Sequence, residues 1–297
     1  MRIRVLGSAA GGGVPQWNCA CRLCDRARAH DGVTARSQDT VAVSADGRHW
    51  CLLNASPDVV GQVERHRSLQ PGPGCRQTPI GAVVLTDAEL DHCVGLLMLR
   101  QAVELDVYAT GSVLAALTGP LPVVPVLAAY GTVRWTRLQP GCSVDVHGIR
   151  VLPFAIPRRP PRYARALGGA DDWAVGLRLT DLGTGRVAVY APSVAQWSEH
   201  LATELAQADS VLIDGTFWSD SEMASAGAGR RTSWDMGHLP IAGREGSAAH
   251  LAVLPARRKV YVHINNTNPA LDARSAEAAQ LAAAGIDVAV DGMEWEA

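Results

Sequence analysis

No stretch of this 297-residue sequence carries the roughly 18 consecutive apolar residues that a membrane-spanning helix needs, so no insertion into a membrane is expected. A basic excess is missing too. The 27 Lys and Arg residues stand against 29 Asp and Glu, a formal net charge of −2, which argues against a general nucleic-acid binder. Met1-Arg2-Ile3-Arg4-Val5-Leu6 runs straight into strand-like alternation and leaves no room for a signal peptide. Seven cysteines, an odd number, do not read as a disulfide framework. Together these absences predict a soluble, cytoplasmic protein. Hydrophobic residues at 47% and charged residues at 19% describe an ordinary globular chain, long enough to bury a sizeable core. No linker, low-complexity tract or fixed-period repeat divides it, and nothing in it specifies an oligomeric state.

A nucleotide fingerprint is also lacking. Gly7-Ser8-Ala9-Ala10-Gly11-Gly12-Gly13 comes after the first strand, but no Lys-Ser/Thr succeeds it for a P-loop and the Gly-x-Gly-x-x-Gly spacing is absent. Such a run instead lets the backbone turn sharply or approach the active site closely. The adjoining cysteines are a more specific signal: Cys19, Cys21 and Cys24 crowd into six residues. Thiolates so close together match tetrahedral zinc in a structural clip, with a fourth ligand arriving from elsewhere. Asn266 is a candidate for that place by its nearness to His263.

The chain is organised around Ala82-Val83-Val84-Leu85-Thr86-Asp87-Ala88-Glu89-Leu90-Asp91-His92, an apolar strand that empties into acids and one histidine. A largely buried helix is expected over 93–100. The acids then lie on a strand-to-helix loop, where ligands collect in open α/β sheets. Thr86 and Glu89 also fit a helix start, with Thr86 as the N-cap of a capping box. The pattern of an apolar strand delivering a polar tip recurs at Ser193, at Asp214, and at His263 with its following amides. Asp214 is either a turn former before Gly215 or an acid aimed into the site. Helices are expected over 194–209, 245–254 and 272–284, and a last strand over 286–290. His238, in Gly237-His238-Leu239-Pro240, joins His92 and His263 at predicted loop ends, so convergence is expected. Arg158, Arg159 and Arg162 lie in a proline-rich insertion; such a loop usually faces water, but guanidinium groups can also receive substrate carboxylates.

Across nearly its whole length the sequence resembles the coenzyme PQQ biosynthesis protein B family of the metallo-β-lactamase superfamily. The residues that carry this are 5–13 with Pro15-Gln16-Trp17-Asn18-Cys19, Asn54-Ala55-Ser56-Pro57-Asp58, Leu85-Thr86-Asp87 with Asp91-His92, Asp214-Gly215-Thr216-Phe217-Trp218, Met236-Gly237-His238-Leu239-Pro240, His263 to Pro269, and Asp291-Gly292-Met293-Glu294. The resemblance implies an α/β fold, a four-layer αββα sandwich in a single domain spanning 1–297, with the metal site at one edge. Against the superfamily's His-x-His-x-Asp-His signature, the first two histidines are Asp87 and Glu89 here. Ser193 stands where hydrolytic relatives bridge two metals with an aspartate, and a histidine expected near Ile156-Pro157 is absent.

What remains is Asp91, His92 and His263, two histidines and a carboxylate, which is the facial triad of non-haem iron(II) oxygenases. This agrees with what the resemblance implies: an Fe2+-dependent hydroxylation of a tyrosine-derived precursor of PQQ, alongside other proteins of that pathway. Asp214 and His238 would then move protons beside the metal. The resemblance also admits a carrier that helps move PQQ or its precursor towards the periplasm and uses the arginines on carboxylates. A third reading is a hydrolase with Asp87 and Glu89 holding a second metal.

Overall fold

The computed structural model describes residues 1–102 and 104–297. Fourteen strands form two sheets. They are β1 (Arg2–Gly7), β2 (Thr40–Ser44), β3 (Trp50–Leu53), β4 (Ile80–Val84), β5 (Glu104–Thr110), β6 (Thr132–Leu138), β7 (Val144–Val146), β8 (Ile149–Ala155), β9 (Val175–Asp181), β10 (Val187–Ala191), β11 (Ser210–Asp214), β12 (Arg258–Val262), β13 (Asp287–Val288) and β14 (Glu294–Glu296). One sheet has the order β14-β1-β2-β3-β4-β5-β6 and the other β13-β12-β11-β10-β9-β8-β7.

Alternation within the strands explains the layering, because successive side chains point to opposite faces. Val41, Leu53, Ala82 and Val84 of the first sheet pack against Leu177, Tyr190, Leu212 and Val260 of the second. Their strand neighbours Leu52 and Val83 face the other way, onto Leu96, Val113 and Leu117. In the second sheet Val189, Val211 and Ile213 likewise face Leu201, Leu205 and Leu251. The result is the expected αββα sandwich. Truncating one of these buried leucines to alanine would cost about 2–5 kcal/mol.

β3 to β6 run parallel to one another, as do β10 to β13. Their carboxyl ends therefore bring the polar tips after β4, β10, β11 and β12 to one edge of the sandwich. Asp46 sits at the turn between β2 and β3, where its carboxylate accepts from the N–H groups of Arg48 and His49.

Several helices are shorter than their apolar spacing predicts, and the reason is visible in their backbone bonds. After the acidic loop only Leu90–Cys93 is α-helical, and Val94–Leu99 continues as 3-10 helix. The carbonyl of His92 is taken by the N–H of Ala55 at 2.7 Å, and the N–H of Gly95 goes to the Ala55 carbonyl at 2.9 Å, so the α-helical ladder is broken there. Gly95 is required at this contact, since a Cβ would lie 2.0 Å from the Ser56 carbonyl oxygen. Thr86 is not a helix cap. Its hydroxyl bonds Asn54 and Asp87, the helix begins after Glu89, and no side chain caps it. The helix expected from 194 starts at Glu199, capped by Ser198. Val194 instead gives its N–H to Asp214 and its carbonyl to Leu239. Likewise the predicted helices over 245–254 and 272–284 contract to Ser247–Ala252 and Ala276–Ala283, and the last strand to Asp287–Val288. Asp272 is drawn away into ion pairs with Arg26 and Arg274.

Candidate metal centre

The loop after β4 folds back so that Asp87 meets the residue five places on. His92 Nδ1 lies 2.8 Å from Asp87 Oδ1, both side chains being buried. Asp87 also accepts from the Glu89 N–H at 2.9 Å and from the hydroxyls of Thr86 and Ser193, each at 3.2 Å. Burial alone would raise its pKa, but the His92 charge and these donors hold it well below the usual carboxylate range. With Nδ1 committed to Asp87, the Nε2 of His92 is fully buried and has no hydrogen-bond partner among the described residues. It faces Asp91 Oδ2 at 3.9 Å.

His263 completes the cluster from the end of β12, where its backbone holds a φ of 56°. Its Nε2 lies 3.2 Å from Asp91 Oδ2. Thr216 Oγ1 donates its only hydrogen to Asp214 at 2.6 Å, so it can only accept from His263 Nδ1 at 2.8 Å. That assignment leaves the His263 Nε2 lone pair on the Asp91 side. Ligand atoms of Asp91, His92 and His263 all fall within 4.8 Å of one another. Burial disfavours charge on both Asp91 and His92, yet the carboxylates of Asp87 and Asp91 push His92 up to about 10, while His92 and His263 hold Asp91 well down. Two carboxylates, Asp87 and Asp91, thus flank a fully buried imidazole, an arrangement that favours a cation. The orphaned Nε2 and the one-carboxylate, two-imidazole donor set fit a divalent metal.

His238 stands beside this set, its ring stacked on His263 with centroids 5.4 Å apart. Its Nδ1 is 2.6 Å from Asp214 Oδ2. Asp214, His238 and His263 also lie close enough together to hold an ion, but the Asp214–His238 contact is a hydrogen bond that occupies both atoms. Burial lowers the pKa of His238 despite the Asp214 charge, and its Nε2 makes no hydrogen bond among the described residues. Of the three arginines, Arg159 and Arg162 are exposed, whereas Arg158 is mostly buried and lies 3.6 Å from Glu89. Burial raises the Glu89 pKa against the pull of that guanidinium. Nη1 of Arg158 is buried and unpartnered.

Cys19, Cys21 and Cys24 form a second cluster, with their sulfurs within 4.8 Å of one another. The side-chain NH2 of Asn266 donates to it, 3.2 Å from Cys19 Sγ and 3.3 Å from Cys24 Sγ. Backbone N–H groups of Cys21 and Gln16 donate to Cys19 and Cys24 sulfurs, each at 3.4 Å, as expected around thiolates. The two clusters share a support, because Asn266 follows His263 on the loop whose Ile264 pairs with Ser8 and Ala10. Gly11 of the glycine run approaches Asp91 so closely that a Cβ would lie 3.1 Å from its Oδ2.

Comparison with known proteins agrees with this geometry. Residues 49–264 match the beta-lactamase superfamily domain. Over 99% of both chains the sequence is 44% identical to coenzyme PQQ synthesis protein B of Nitrosococcus oceani, and over 98% of both it is 45% identical to that of Cupriavidus taiwanensis. The chain belongs to the coenzyme PQQ synthesis protein B family. A crystal structure of zinc-bound PqqB from Methylobacterium extorquens superposes over all of both chains with a TM-score of 0.93 and 40% identity. A diphosphatase of the PhnP family, 20% identical with a TM-score of 0.71, shares the metallo-β-lactamase fold.

Residue type alone does not single out Thr216, Asn54 or Asp39, although the first two lie in stretches that carry the resemblance. Asn54 clamps Thr86 through both ends of its amide and reaches the Tyr190 hydroxyl. Asp39, fully buried, accepts from that hydroxyl, and burial pushes its pKa up to about 6. Nothing in a strand-initial Asp announces such a partner on the opposite sheet.

Proposed function

We propose that this protein acts in PQQ biosynthesis as a mononuclear non-haem iron(II) hydroxylase of a tyrosine-derived precursor, with a zinc clip at Cys19, Cys21 and Cys24. The observation that carries the single-metal reading is the engagement of Asp87. Its carboxylate orients His92 and accepts Ser193 where a second metal would need a free ligand, and Glu89 is turned to Arg158. Asp91, His92 and His263 would hold the iron, which when bound supplies the one-electron and O2 chemistry that protein side chains lack.

The chain's own residues do the rest. Asp87 and Thr216 fix the tautomers of the two ligand imidazoles. Asp214 holds His238 Nδ1, so that its Nε2 can take a proton from a bound phenol or ring carbon. Arg158 has a buried donor to spare for a substrate carboxylate. Inserting one atom of O2 and reducing the other to water consumes two electrons and two protons, so an external reductant takes part. The work belongs in the cytoplasm, and no described helix is long and apolar enough to cross a membrane.

A carrier of PQQ or its precursor draws support from Arg158 alone, since Arg159 and Arg162 are exposed. To test the hydroxylase reading, iron-loaded protein is supplied with a tyrosine-derived precursor, ascorbate and isotopically heavy O2. One heavy oxygen atom in the product, lost with His263→Ala, supports it; bound but unmodified precursor overturns it in favour of the carrier.

A further inference from the structure

Beside the glycine loop lies a cleft of about 560 Å³ that Asp91 does not line. Gly12 and Gly13, Arg36, Gln38, Arg65 and Asp291 are among its lining residues. Arg36 is 7% exposed, yet its guanidinium makes no hydrogen bond or ion pair among the described residues, and its Nε and Nη1 are fully buried. A buried, always-charged group without a partner is costly, because nothing replaces the water it has lost.

The nearby carboxylates make no ion pair or hydrogen bond with it among the described residues, although the Asp291 charge favours its protonated form. Asp291 already accepts from the N–H and hydroxyl groups of both Ser8 and Ser37. Asp58 accepts from the N–H and the side-chain amide of Gln38 through one oxygen. Arg65 adds a second positive charge at the rim, its Nε spent on the Gly61 carbonyl at 3.0 Å. Asp58 keeps its other oxygen free among the described residues, and the unsatisfied hydrogen-bond donation in the cleft is that of Arg36.

We propose that this cleft binds a small oxyanion-bearing molecule, a carboxylate or a tetrahedral anion, on Arg36, at a site separate from the metal centre. The ligand meets the guanidinium at Nη2, the one of its nitrogens that is not fully buried, and charge-assisted bonds of this kind are worth enough to be read in binding. The glycine loop joins the two sites, since Gly11 backs onto Asp91 while Gly12 and Gly13 line the cleft. An occupied cleft thus braces the loop that covers the metal ligand.

The test is calorimetric titration of metal-loaded protein with succinate and, separately, sulfate in low-chloride buffer. Arg36→Gln removes the charge. Gly61→Glu adds a carboxylate at a helical position whose Cβ would meet nothing nearer than 3.9 Å, and so keeps the fold while repelling an anion. Arg158→Gln removes the other buried arginine, next to the metal centre. The expected result is that one or both anions bind, that Arg36→Gln and Gly61→Glu each weaken binding about tenfold or more, and that Arg158→Gln leaves it unchanged. Stronger binding of succinate assigns a carboxylate, and of sulfate a tetrahedral anion. Absence of binding by both probes overturns the proposal, as does binding lost with Arg158→Gln and kept in the two cleft variants.

Discussion

Asp87 Oδ1 and His92 Nδ1 are 2.8 Å apart and both buried, which converts the first position of a metal-binding signature from a ligand into a support for one. The acid fixes the ring and leaves Nε2 for the proposed metal. Asp87→Asn keeps the shape and removes the charge. Iron affinity, measured by competition with a chelator, should fall about 10- to 100-fold while the number of metals bound at saturation stays the same. A loss of one metal per chain at saturation would make Asp87 a ligand and return the two-metal reading.

Asp214 and His238 make a second carboxylate–imidazole pair, 2.6 Å apart, next to the metal ligands. If His238 handles the substrate proton, His238→Gln should lower kcat by about 10²–10⁴-fold. Iron content should be unchanged, and the pH dependence of kcat should lose one limb. Loss of iron in this variant would show His238 to be a ligand.

The buried Glu222 makes a pH-dependent contribution to stability. Burial pushes its pKa up to about 7, against the donors Thr267 and the Trp218 N–H. Its folded-state value lies above the unfolded one, so between about pH 4.5 and pH 7 the folded protein holds the extra proton and loses stability as pH rises. The whole effect is at most about 3 kcal/mol. Glu222→Gln keeps an oxygen for the Trp218 N–H and turns its NH2 to the Thr267 hydroxyl, which then accepts instead of donating. Urea unfolding of the variant should show a flatter pH dependence than the parent across that window and greater stability at pH 8. Parallel profiles would contradict this.

The polar tips of four strands are legible in the sequence because each ends an unbroken apolar run, and parallel strands must deliver such tips to one edge. The cysteine spacing is legible for the same local reason. Thr86 resembles a cap in sequence because its true partner, Asn54, lies 32 positions away and only the fold brings them together. Apolar spacing overstates helix length where loop groups such as the Ala55 N–H and the Asp214 carboxylate capture backbone bonds that periodicity assigns to the helix. The three arginines look equivalent in the proline-rich stretch, and burial separates Arg158 from the other two. Arg36 carries no sequence signal at all, since an isolated arginine gives no hint of burial.

Metal content after oxygen-free purification tests the central claim most directly. Elemental analysis should find one zinc and one iron in the parent protein. His92→Ala should lose the iron and keep the zinc; Cys21→Ser should lose the zinc. Iron retained in His92→Ala would contradict the assignment of Asp91, His92 and His263, and two metals lost together with His92 would contradict a mononuclear centre.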